Sequence, residues 1–136
     1  MSGSGSTLLI KRGGTINNIL LIAEKQQFGT TLGGVLREHG YNVTLEDSYG
    51  SDDTARRKFD LVIATNTSLP CHEIETIIPD IKARCPDACI IVLSGYCTDD
   101  WVADLKEKGI DEFLELPYHE TVLLKKVAGL LSLPPL

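Results

Sequence analysis

The sequence predicts an α/β protein, a doubly wound sheet of five parallel strands with helices on both faces. Two observations carry this. Short apolar runs recur along the 136 residues, and a strand covered on both faces reads as such a run rather than as an alternation. Between the runs lie longer stretches whose apolar residues recur at helical spacing. Five βα units in one small chain require right-handed crossovers within a single open sheet.

The elements follow in order. Residues 1–16 read as a tail or linker led by Gly and Ser, since Met1 to Ser6 lacks the apolar stretch of an export signal. Asn18 to Ala23 is the first strand, apolar through its middle. Gln26 to His39 carries Phe28, Leu32, Val35 and Leu36 on one stripe, with Gly40 placed to end the helix. Gly33 and Gly34 weaken that helix by roughly 1 kcal/mol each relative to Ala, a cost that close packing on the sheet would explain. Tyr41 to Leu45 alternates as a second strand, and the polar stretch Ser51 to Lys58 allows only a short helix. Asp60 to Thr65 is the third strand. Ile74, Ile77, Ile78 and Ile81 then give a helix that Pro79 is expected to kink and Pro86 to close. Ala88 to Ser94 is the fourth and most apolar strand. Trp101, Val102 and Leu105 mark a helix ended by Gly109, followed by a strand from Glu112 to Leu116. Thr121 to Leu131 is the last helix, and residues 132–136 are a tail containing Pro134 and Pro135. The domain is thus expected to span residues 17–131.

Charge and composition exclude several functions. A net charge of −6 argues against gripping nucleic acid, and the one dense basic cluster, Arg56-Arg57-Lys58, reads as a solvated face. The longest apolar run, Ala88 to Leu93, is far short of the ~20 residues that span a bilayer. No membrane association and a cytoplasmic location are therefore expected. Cys71, Cys85, Cys89 and Cys97 form no C-x-x-C pair, and the adjacent Cys71 and His72 do not point at one metal. Ser94 lies in no G-x-S-x-G, and His39, His72 and His119 sit at a helix end or in loops, so the chain is not read as an enzyme.

In doubly wound folds, ligands sit at the carboxyl ends of the strands. Here those ends are Ala23-Glu24-Lys25, Thr65-Asn66-Thr67, Ser94-Gly95 and Glu115-Leu116-Pro117. Around them, several local patterns come in a telling order. Ile19-Leu-Leu-Ile22 precedes an acid, Gly40-Tyr-Asn-Val43 enters the second strand, and Phe59-Asp-Leu-Val-Ile63 is followed by Leu69-Pro70. Val92-Leu-Ser-Gly-Tyr96, Lys108-Gly-Ile-Asp-Glu-Phe-Leu114 and Leu116-Pro-Tyr118 complete the set. Together, over about residues 17–131, they resemble the receiver domain of two-component response regulators, in the version found at the C-terminus of hybrid histidine kinases. The resemblance implies a flavodoxin-like (βα)5 fold with strand order 2-1-3-4-5. It would make Thr7 to Thr15 the connection to an upstream kinase.

The resemblance also implies a phosphorylation site, and most of its groups are missing. In that family a carboxylate on the third strand takes up a phosphoryl group. An acidic pair helps hold Mg²⁺, while a hydroxyl and a lysine bind the phosphoryl oxygens. Carried over, the acidic pair is Ala23 and Glu24, so Glu24 is the remnant acid. The acceptor position is Thr65 counted from Asp60, or Asn66 counted back from Pro70. Ser94 keeps the hydroxyl, Leu116 replaces the lysine, and Phe113 stands at the aromatic switch position. No metal site, no cofactor and no functional Mg²⁺ binding are expected.

These losses point to a pseudo-receiver in a phosphorelay that signals by docking, without aspartyl phosphorylation. The docking surface would run from about Asp99 to Leu130 and include Trp101, Phe113 and Tyr118, with Trp101 read either as an exposed anchor or as packed on the sheet. The expected partner is a sensor histidine kinase or another signalling protein domain, with a homodimer left open. One alternative keeps phosphorylation at a non-standard residue such as Asp60 or Asp47, or a metal at Glu24. Another takes Thr65-Asn-Thr-Ser68 as the anion loop of a small-ligand or nucleotide module.

Overall fold

The computed structural model describes residues 17–23, 25–46, 59–66, 72–95 and 98–131. Within them the order is β1 (Asn18–Ile22), α1 (Gln26–Glu38), β2 (Asn42–Glu46), β3 (Leu61–Asn66), α2 (His72–Arg84), β4 (Cys89–Ser94), α3 (Asp99–Lys108), β5 (Glu112–Glu115) and α4 (Glu120–Leu131). The strands form one parallel sheet in the order β2-β1-β3-β4-β5, the predicted topology. The short helix expected over Ser51 to Lys58 falls outside the described residues.

Alternation along each strand divides the core into two layers. Leu20, Ile22, Val62, Ile90 and Val92 face Ile78 and Ile81 of α2 and Trp101 and Leu105 of α3. Ile19, Leu21, Leu61, Ile63, Ile91 and Leu93 face Leu32 and Leu36 of α1 and Leu123, Val127 and Leu131 of α4. The central strands are apolar on both faces because both faces are covered. No described helix is long and apolar enough to cross a membrane.

Local chemistry sets the ends. Gly109 closes α3 in the left-handed conformation at φ 117°, where a side chain would be strained. Thr98 caps the start of α3 by accepting from the Trp101 amide at 3.1 Å. At the opening edge of the sheet, Asp60 accepts from the Asn18 amide and Asp111 from the Ile90 amide, each at 2.8 Å.

Pro79 lies inside α2, which continues through it from His72 to Arg84. The proline is exposed, so water can satisfy the carbonyl its missing N–H leaves behind. Of the two glycines expected to pack on the sheet, Gly33 does so at ordinary contact, 3.8 Å from Leu21 and Val43 for an added methyl, and Gly34 does not; the tightest approach of α1 is at Gly29. A methyl group on Gly29 would lie 2.7 Å from Leu45 Cδ1 and 2.9 Å from Ala23 Cβ, whereas one on Gly34 would meet nothing within 4 Å.

Candidate functional site at the carboxyl ends of the strands

The fold brings Ala23, Thr65, Asn66, Ser94 and Leu116 to the same edge of the sheet, as the sequence implied. Ala23 follows β1, is 2% exposed, and donates its amide to the Glu46 carbonyl at 2.9 Å. Its methyl lies under α1 beside Gly29. Glu24 is outside the described residues.

The register separates the two acceptor candidates. Asn66 is level with Ser94, and Ser94 with Glu115, so these three positions share one rung of the ladder. Thr65 pairs instead with Leu93, whose side chain belongs to the α1/α4 layer. Neighbouring positions along a strand point to opposite faces. The Thr65 hydroxyl is buried and already donates to the Ile22 carbonyl at 3.0 Å. That bond ties β3 to β1 rather than presenting a nucleophile. Thr65→Val should therefore cost about 1 kcal/mol of stability in a denaturant titration and leave any response to phosphodonors unaltered.

Ser94 is fully buried, and its carbonyl accepts from the Leu116 amide at 2.9 Å. Leu116 is half-buried and packs against the α1/α4 layer, as do Phe28 and Tyr118. Phe28 and Tyr118 meet edge to face, with centroids 6.0 Å apart and planes at 89°. Burial pushes the Tyr118 hydroxyl above its usual pKa, and the charge of Glu120 adds to this. The carboxyl end of β5 is thus flanked by apolar and aromatic side chains.

On the opposite layer, Phe113 is in register with Val92 and packs edge to face on Trp101, with centroids 5.7 Å apart and planes at 89°. Trp101 is only 9% exposed, which corrects its reading as an exposed anchor and leaves the one in which it packs on the sheet. Its ring covers Phe113, and its indole N–H donates to the Glu75 carboxylate on α2 instead of to water. Phe113 and Tyr118 are half-buried as well. Sequence reasoning missed Glu75. The available signal was a carboxylate three residues before Ile78, bordering the apolar stripe of its helix.

The described residues at this edge carry no carboxylate cluster for a hard divalent cation. Ala23 offers no carboxylate and Asn66 no charge, and among the described residues no three His, Cys, Asp or Glu side chains gather. Asp60 lies at the opposite edge of the sheet, bonded to the Asn18 amide. Asp47, Thr67, Ser68, Cys71 and Cys97 are outside the described residues. Cys85 and Cys89 are free thiols whose pKa burial pushes up, away from the reactive thiolate.

No protein-family model matches the sequence, and no curated protein does. Among solved structures, a response regulator from Burkholderia multivorans is 27% identical, with 90% of this chain and 99% of that chain covered and a TM-score of 0.69. A receiver domain protein from Methanospirillum hungatei superposes with a TM-score of 0.76 at 19% identity, over 85% of this chain and 93% of its own. A response regulator from Burkholderia pseudomallei, solved with a phosphorylated aspartic acid, calcium ion and citrate, is 25% identical over 85% of this chain and 67% of its own, with a TM-score of 0.68. The chain resembles the receiver domains of two-component response regulators and carries their fold, a five-stranded parallel sheet in the order 2-1-3-4-5.

Proposed function

We propose that the chain is a signal-transduction receiver module that works by docking to protein partners without aspartyl phosphorylation. One observation carries this reading: the residue level with Ser94 is Asn66, an uncharged amide where phosphoryl transfer needs a carboxylate. Ala23 and Leu116 support it, since the acid that would help hold a cation and the lysine that would meet the phosphoryl oxygens are both replaced by apolar groups. In this reading Asn66 is the acceptor equivalent, Thr65 is structural, and residues 17–131 are the folded module between an N-terminal and a C-terminal tail. The module is not an enzyme and works in the cytoplasm. Its partner is a sensor histidine kinase or another signalling domain, and the docking face is α3, β5 and α4.

The test is the intact mass of the full chain after incubation with Mg²⁺ and acetyl phosphate, beside an active receiver as control. No phosphoryl adduct is expected. A labile adduct would place a reactive carboxylate in the chain and overturn the reading. An acid-stable adduct on Thr65, Thr67 or Ser94 would replace it with phosphorylation at a non-standard residue.

A further inference from the structure

We propose that the Glu75–Trp101 hydrogen bond is a latch that holds α3 closed over β5, and that its release uncovers Trp101 and Phe113. The proposal deepens the docking reading by naming what controls that face, and rests on it only for the consequence. The latch itself stands on the geometry.

The face as folded hides its own aromatic residues. Trp101 is buried, and Phe113 lies half-buried against it. Among the described residues, the large hydrophobic that α3, β5 and α4 leave exposed is Val122, at 41%. Aromatic anchors carry most of the energy of typical protein interfaces, so an aromatic docking site here has to be opened.

The part that would open is lightly anchored. α3 has ten residues and buries only Trp101 and Leu105, whereas α1 buries four residues and α4 three. A helix this short has little stability of its own. Beneath it, β5 has four residues, none fully buried, and it lies at the edge of the sheet. Trp101 joins these pieces: its ring rests on Phe113 of β5 and its N–H reaches Glu75 of α2. Glu75 on α2 therefore holds the outer edge of the side chain that covers β5. Elements with few buried contacts open locally at lower cost than the rest of a fold.

The test compares the full chain with Glu75→Ala and Glu75→Gln, reading acrylamide quenching of the sole tryptophan and hydrogen exchange of individual amides. In Glu75→Ala, quenching is expected to rise several-fold. Exchange across Asp99–Lys108 should quicken about tenfold or more, as expected on losing a bond to a charged acceptor, while β1 and α1 keep their protection. Glu75→Gln keeps a carbonyl acceptor and should stay near the wild type. Unchanged quenching and exchange in Glu75→Ala would overturn the latch, and so would faster exchange spread evenly over the whole fold. Should Glu75→Ala fail to fold, Trp101→Phe keeps a ring on Phe113 but loses the N–H. Faster exchange confined to α3 would support the latch, and unchanged exchange would overturn it. None of these readouts uses a phosphodonor or a partner, so failure here and failure of the docking reading are separate results.

Discussion

Trp101→Ala is expected to lose about 3–5 kcal/mol of folding stability, the range for removing a large buried aromatic side chain. The residue is 9% exposed, lies in the α2/α3 layer and stacks edge to face on Phe113. Truncation leaves a cavity against Phe113 and strips the half-buried Glu75 carboxylate of its indole donor. Trp101→Phe should lose less, because a ring remains on Phe113 and only the N–H is gone. Val122→Ala is the control on the same face: Val122 is exposed, and the change should stay within about 0.5 kcal/mol. Urea titrations of the three variants check the order. A Trp101→Ala loss no larger than that of Val122→Ala would mean the indole is not a core residue.

That prediction could not have been made from the sequence, where Trp101 read equally well as an anchor or as core. Helical spacing puts Trp101, Val102 and Leu105 on one side of α3, but the sheet edge beneath that side sets how deep each one lies. The five strands were legible because central parallel strands must be apolar on both faces, and Ile19 to Ile22 and Ile90 to Leu93 are. The positions of Ala23 and Leu116 at the carboxyl edge were legible because each directly follows a strand. The choice between Thr65 and Asn66 was not. Counting from either flank gives a different residue, and only the strand pairing shows which of the two is level with Ser94. Glu75 escaped notice for a similar reason: its partner is 26 positions away, and no local pattern links α2 to α3.

The glycines of α1 give the second large effect, with opposite signs for one chemical change. Gly29→Ala should destabilise the protein by about 1–3 kcal/mol, because the new methyl falls 2.9 Å from Ala23 Cβ and 2.7 Å from Leu45 Cδ1. Leu45 can turn its side-chain end away, but the Ala23 methyl is fixed to the backbone, so the helix must lift. Gly34→Ala, five positions along the same helix, meets nothing within 4 Å and should stabilise by up to about 1 kcal/mol through helix propensity. Thermal unfolding separates the two, at about 4 °C per kcal/mol for a chain of this size. Ala23→Gly placed in the Gly29→Ala background removes the stiffer of the two contacts and should recover part of the loss, a coupling a double-mutant cycle can measure. Two destabilised variants that add independently would mean that α1 does not press on Ala23. The coupling bears on the docking reading, which takes position 23 as the place of a working site's first acid. With α1 resting on its methyl, a longer side chain there must turn away from the helix or raise it. A carboxylate introduced at 23 therefore has to point away from α1 or lift it, so the side chain at 23 and the close helix are coupled.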